Sequence, residues 1–217
     1  MFLETICIKN GIVRNLEAHV FRMEQTAEHF GFIAPALPHL ELMLPKSLID
    51  KKVKCRVQYK ETIQHVEFEA YAPKEIQSLR LVQANDLNYS FKFSDRSQLN
   101  LNLSKENSSE ALIVQNGCIT DTTYSNVVFR RNNEFFTPDT YLLNGTKRRK
   151  LLSESVIRET RITVDNLRDF DHVYLINSML DIEDKVGCPV RDIKPGCFEF
   201  QLEVNNPHGS FKPPCGQ

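Results

Sequence analysis

The six cysteines of this 217-residue chain, Cys7, Cys55, Cys118, Cys188, Cys197 and Cys215, include no CxxC pair and no closely spaced set. That excludes a zinc knuckle and a disulfide-stapled scaffold, and reduced thiols are expected. No apolar run approaches the length of a membrane span. The opening stretch Met1-Phe-Leu-Glu-Thr-Ile-Cys-Ile-Lys9 alternates, without the charged start and long apolar run of a secretion signal. A soluble, cytoplasmic protein is expected. An excess of one charge is missing too: 27 Lys and Arg stand against 28 Asp and Glu, a formal net charge of -1. With no global field, neither nucleic acid nor a membrane is an expected partner, and the basic cluster Lys147, Arg148, Arg149, Lys150 is a local feature. No two histidines lie at ligand spacing with a carboxylate, so His29, His39 and His208 are read as surface or core residues and no metal is expected. Internal repeats and Gly/Ser linkers are also absent.

What is present suffices for a core: 41% of residues are hydrophobic and 25% charged, an ordinary globular balance. A strand pair is expected around Asn10-Gly11, the strongest short hairpin signal, with Ile6 and Ile8 before it and Ile12 and Val13 after. Leu16, Val20, Met23, Ala27 and Phe30 fall at helical spacing and Gly31 follows at the stop. Further strands are predicted at Val53 to Tyr59, Gln64 to Tyr71 and Leu79 to Val82. Asn88 to Leu103 reads as a loop entering a short helix. After the polar break Lys105 to Ser109, short strands follow at Ala111 to Val114, Ile119 to Asp121, Asn126 to Phe129 and Phe135 to Pro138. A helix is predicted over Thr146 to Thr160, a buried strand over His172 to Ile176, and irregular strands with a loose Pro/Gly-rich end beyond. With no βαβ rhythm, the fold class is α+β, in two lobes, 1–86 and 87–217, meeting near residues 84 to 92.

Two segments carry candidate chemistry. In Tyr89-Ser-Phe-Lys92-Phe-Ser-Asp95-Arg96 a lysine lies between two phenylalanines. Desolvation there would lower its pKa and free the amine for covalent work. The bland alternative is a stem that snorkels across apolar surface. In Gly117-Cys-Ile-Thr-Asp121-Thr-Thr-Tyr124-Ser-Asn126 the aspartate reads either as a solvated turn or as a buried acid.

Taken in order along the chain, these and other segments resemble the class IV aminotransferase family, the fold-type IV pyridoxal-phosphate enzymes, and within it the aminodeoxychorismate lyases in particular. His19-Val-Phe-Arg22 is similar to the family's His-x-x-Arg helix, Lys92-Phe-Ser-Asp95-Arg96 to its Lys-x-x-Asn-Arg, and Gly117 to Phe129 to its Gly-x-(Val/Ile)-(Thr/Ser)-Glu stretch with Asp121 in place of glutamate. Thr137-Pro138, Leu143-Asn-Gly145-Thr-Lys-Arg148 and Leu175-Ile-Asn177-Ser178-Met179-Leu180 complete the series, which covers residues 2 to 195 or so.

The resemblance implies a two-lobed, N-terminally shortened fold with pyridoxal 5'-phosphate as cofactor and Lys92 as its Schiff-base lysine. It implies that Arg22, the backbone N–H groups of Thr146 and Lys147 behind Gly145, and Ser178 hold the phosphate. Asp121 would face the pyridine nitrogen, Leu143 would lie on a ring face, and Tyr124 and Asn126 would pack beside the ring. Arg56 is a weaker candidate for a substrate carboxylate; an arginine alternating in a strand is as readily a neighbour of Glu67. The implied activity is a lyase releasing 4-aminobenzoate and pyruvate from aminodeoxychorismate. The alternatives are a D-amino acid or branched-chain aminotransferase and a non-catalytic relative. The implied partners are a small amine or amino-acid substrate and a second copy in a homodimer.

Overall fold

Alternation in the first residues produces β1 (Phe2–Lys9), and the Asn10-Gly11 turn, with φ of 53° and 71°, returns the chain into β2 (Ile12–Val13) in the register Ile8 opposite Val13. Helix α1 (Leu16–Phe30) follows and turns its buried stripe, His19, Met23, Thr26 and Ala27, onto the sheet. Gly31, at φ 71°, closes it as the predicted stop. After the one-turn helix α2 (Leu40–Met43) come β3 (Lys52–Tyr59) and β4 (Ile63–Ala70), giving an antiparallel sheet in the order β2-β1-β3-β4. Ile6, Ile8, Val53, Cys55 and Val57 pack with Leu40 and Leu44 on its covered face. The chain is described here by a computed structural model for residues 1–101 and 109–196. Most of the predicted polar break and the Pro/Gly-rich end from Cys197 onward lie outside the described residues.

The remainder builds two sheets. One, in the order β13-β5-β6-β7, comprises β5 (Ser78–Gln83), β6 (Ser109–Gln115), β7 (Cys118–Thr122) and β13 (Ile193–Lys194). The other, β10-β9-β8-β11-β12, comprises β8 (Asn126–Arg131), β9 (Glu134–Pro138), β10 (Arg158–Thr160), β11 (His172–Ile176) and β12 (Gly187–Pro189). Leu79, Leu112, Ile119, Val127, Phe129, Val173 and Leu175, all fully buried, form the core between them. Burial of this contiguous apolar set is the main favourable term for the fold.

Two sequence expectations change. Helix α3 runs only from Thr146 to Ser153, not to Thr160, and Arg158–Thr160 is a strand parallel to β9. Ser155 takes a left-handed φ of 56°, and the β-branched pair Val156-Ile157 continues extended with Ile157 buried. The helix expected within residues 88–103 is a single 3-10 turn, Ser97–Leu99. Parallel pairing, which no local rhythm announced, occurs between β5 and β6 and between β13 and β5. A parallel pair needs a long crossover. The one from Gln83 to Ser109 carries Lys92 and contains the expected lobe limit at 86/87. The lobes meet where β1 lies against this crossover: Leu3 N–H donates to the Lys92 carbonyl at 2.9 Å, Ser94 N–H to Met1 O at 3.1 Å, and Phe2 bridges Phe93.

Candidate active site

Facing residues on neighbouring antiparallel strands share one side of a sheet. Thr5 lies opposite Arg56, and Arg56 opposite Glu67; Lys54 lies opposite Glu69. This polar side of the first sheet forms one wall of a cavity of about 580 Å³, whose other walls come from the crossover, β7, the loop before α3 and the turn after β11. Lys92, Arg22, Arg56, Asp121, Tyr124, Asn126, Leu143, Gly145, Thr146 and Ser178 all line it. Of the residues proposed from sequence, Lys147 alone is not among the lining groups.

Lys92 reaches this cavity from the crossover. Burial, and then the positive charge of Arg22, bring its ammonium from the ordinary 10.5 down to about 7, with Glu4 opposing. Near neutral pH a sizeable fraction of the amine therefore carries its lone pair free, the state that attacks a carbonyl carbon.

Arg22 projects from α1 beside His19, one turn earlier, and both grip Glu4 of β1. Glu4 accepts from His19 Nδ1 at 2.6 Å, from Arg22 Nε at 2.9 Å and from Arg22 Nη2 at 2.5 Å, with no surface of its own exposed. Burial alone would raise the Glu4 carboxyl. The Arg22 charge and the hydrogen bonds from His19 and Arg22 outweigh that and hold it at about 2. Burial lowers His19 despite its carboxylate neighbour, so the ring is neutral with its proton on Nδ1, and Nε2 is buried without a partner among the described residues.

Asp121 ends β7 on the cavity side. Its Oδ2 accepts the backbone N–H groups of Leu142 (3.0 Å) and Leu143 (2.9 Å), and its Oδ1 accepts Asn126 Nδ2 at 2.8 Å. Burial pushes the carboxyl up to about 6, against the pull of these three donors. Asn126 also donates to Leu143 O at 2.8 Å, and a Cβ on Gly145 would meet Asn126 Oδ1 at 2.0 Å. Glycine is therefore required at 145 for close approach. Tyr124 packs beside this group, its Oη buried with no partner among the described residues.

Gly145 leads into α3, so the N–H groups of Thr146 and Lys147 belong to a first helical turn, which offers no carbonyl partners within the helix. The Lys147 ammonium pairs with Asp181, away from the cavity lining. Ser178 Oγ donates to Thr5 O at 2.6 Å, so an anion arriving here competes for that proton. Arg56 Nη1 lies 3.6 Å from Glu67, the neighbour its strand position suggested, with both groups more than a third exposed. Such a pair contributes little and leaves the arginine free to turn. Arg96 also lines the cavity, its guanidinium donating to Thr123 O at 2.6 Å.

Sequence reasoning gave Glu4 no role. The signal was an acid placed between Phe2 and Ile6, on the covered side of a strand, which needs a partner to be buried there. Among the described residues no helix is long and apolar enough to cross a membrane.

Comparison with known proteins agrees with this geometry. The family model "Amino-transferase class IV" matches residues 1–183. An uncharacterized protein of Haemophilus influenzae is 34% identical over 180 residues, 81% of this chain and 96% of that protein. A crystal structure from Haemophilus somnus 129PT, provisionally named a 4-amino-4-deoxychorismate lyase, superposes with a TM-score of 0.73 at 30% identity, covering 82% of this chain and 95% of that one. A hypothetical aminotransferase from Mycobacterium tuberculosis, solved in its PLP-bound form, shares the fold with a TM-score of 0.69 at 16% identity, covering 88% and 80% of the two chains.

Proposed function

This chain belongs to the class IV aminotransferase family, whose relatives include PLP-bound proteins, and from that premise we propose that it is a pyridoxal-phosphate enzyme of the aminodeoxychorismate lyase type. The observation that carries the reading is the convergence, in one cavity, of a lysine brought to about 7, an arginine held by a buried carboxylate, and an acid at the opposite wall.

The residues present fit the cofactor. Gly145 leaves no room for a side chain beside Asn126, the first turn of α3 offers unpaired N–H donors, and Tyr124 Oη is a buried polar atom in want of a partner. Under this reading the Thr146 and Lys147 amides and Arg22 hold the phosphate dianion, with Ser178 beside them. Leu143 and the Tyr124-Asn126 side enclose the ring, and Asp121 keeps a positive pyridine nitrogen. One lone pair of Asp121 Oδ1 remains beyond its three donors, enough for one further hydrogen bond. When bound, pyridoxal phosphate supplies an aldehyde that condenses with amines and a ring that accepts an electron pair. Lys92 Nζ holds the aldehyde carbon, is released when a substrate amine arrives, and then takes and returns a proton at the substrate carbon.

Lyase and aminotransferase share these parts and differ in the substrate. The 30% identity to a protein provisionally named a 4-amino-4-deoxychorismate lyase and the Asn177-Ser178-Met179 turn favour the lyase. Arg56, Arg96 and Lys74 on the cavity wall suit a substrate with two carboxylates. The test is incubation of the cofactor-loaded protein with aminodeoxychorismate and, separately, with amino acids plus a keto acid. Equimolar pyruvate and 4-aminobenzoate support the lyase. Amine transfer without them supports the aminotransferase, and neither product supports the non-catalytic relative.

A further inference from the structure

Strand β1 touches the site three times in succession. Leu3 N–H takes the Lys92 carbonyl at 2.9 Å, Glu4 takes His19 and Arg22, and Thr5 O takes Ser178 Oγ at 2.6 Å. Of these contacts only Glu4 is charged. It lies on the covered face of the strand, fully buried, where an apolar side chain would be cheaper to place. Its carboxylate uses both oxygens on Arg22, taking Nε–H and one Nη2–H in the planar fork that fixes a guanidinium in one orientation. His19, donating from Nδ1, holds the same carboxylate from the other side. Arg22 lines the cavity with only 12% of its side chain exposed, so its remaining Nη1 edge is what it offers there.

We propose that Glu4 is a positioning residue which, by fixing the guanidinium plane of Arg22 at the cavity wall, makes that arginine a subsite selective for a phosphate dianion. The proposal rests on the cofactor reading above and adds a residue to it. Glutamine at this position keeps the shape but presents an amide N–H to Arg22 where an acceptor is needed, so the fork opens and the guanidinium turns. The loss falls on ligands that carry the phosphate. Glu4 also offsets the charge of Arg22 felt by Lys92. The charged groups acting on Lys92 are Arg22, Glu4, Arg96 and Arg56. Removing the one negative member moves the protonation midpoint of Lys92 to lower pH.

The test compares binding of pyridoxal phosphate with that of pyridoxal, which lacks the phosphate, by absorbance titration of the purified chain and its Glu4→Gln, Arg22→Gln and double variants. Glu4→Gln is expected to lower the preference for the phosphorylated form by roughly tenfold or more while pyridoxal binding changes by less than about threefold. The pH midpoint for condensation with pyridoxal should fall in the same variant. Because Glu4 acts through Arg22, the double variant should retain the selectivity of Arg22→Gln alone. That comparison holds even if Glu4→Gln, with an uncompensated buried arginine, fails to fold. A Glu4→Gln protein that keeps the full phosphate preference, or a double variant about tenfold less selective than Arg22→Gln, overturns the proposal. Failure of the unsubstituted protein to prefer the phosphorylated form, or to react at Lys92, counts instead against the cofactor reading on which it rests.

Discussion

At the scale of single residues, the chemistry turns on how Lys92 is kept from holding its proton. Its sequence neighbours Phe91 and Phe93 suggested desolvation, and the structure adds the charge of Arg22, whose nearness depends on β1 and α1 folding against the crossover. The amine reacts as a free base, so its rate of condensation with an aldehyde should rise with pH, reach half its limit near 7 and level off above. A stopped-flow pH profile with pyridoxal phosphate tests this, and a midpoint near the ordinary 10.5 would contradict it. The same shift acts on stability. Between about 7 and 10.5 the unfolded chain binds a proton at this lysine that the folded chain does not, so the cost of burying it is full below pH 7 and fades as pH rises towards 10.5. Lys92→Met should therefore raise the denaturant midpoint at pH 6.5 more than at pH 10. Asp121→Ala leaves two backbone N–H groups and one amide without their acceptor and should cost about 3 kcal/mol in urea unfolding. The Lys92 and Asp121 segments were both visible in the sequence as patterns. Glu4 was not, because its partner Arg22 stands 18 residues away and only the packing of α1 on β1 brings them together.

At the scale of elements, local chemistry was legible wherever one residue decides the backbone. Asn10-Gly11 made the hairpin, Gly31 ended α1, and Gly145 opened α3. Gly145→Ala should drive Asn126 off Asp121 and Leu143. We expect a loss of about 1–3 kcal/mol from overpacking, together with weaker cofactor retention, measured by unfolding and by absorbance after desalting. The end of α3 was misjudged because its decisive residues act through tertiary contacts: Ile157 is drawn into the core and Arg158–Thr160 into pairing with β9. The parallel pairing of β5 with β6 was hidden for the same reason. Its crossover contains no regular helix among the described residues, only a 3-10 turn, so no strand-helix-strand rhythm marks it.

At the scale of the whole molecule, the cavity lies between lobes that the sequence suggested only through the order of its motifs. The lobes are joined at β1 and by Lys52 to Asp184 at 2.9 Å, and the predicted phosphate groups come from both: Arg22 from one, Thr146 and Ser178 from the other. A ligand that bridges them binds the folded chain alone, so pyridoxal phosphate at a hundred times its dissociation constant should add about 2.7 kcal/mol of stability, read as a rise in melting temperature. The account's central claim is that Lys92 forms the covalent link to that cofactor. It is tested most directly by incubating the protein with pyridoxal phosphate, desalting, reducing with borohydride and mapping the label, in parallel with Lys92→Ala. The account predicts a long-wavelength band retained by the protein, fixed by reduction on Lys92 and lost in the variant. A band that survives the substitution, or no retained band at all, would contradict it.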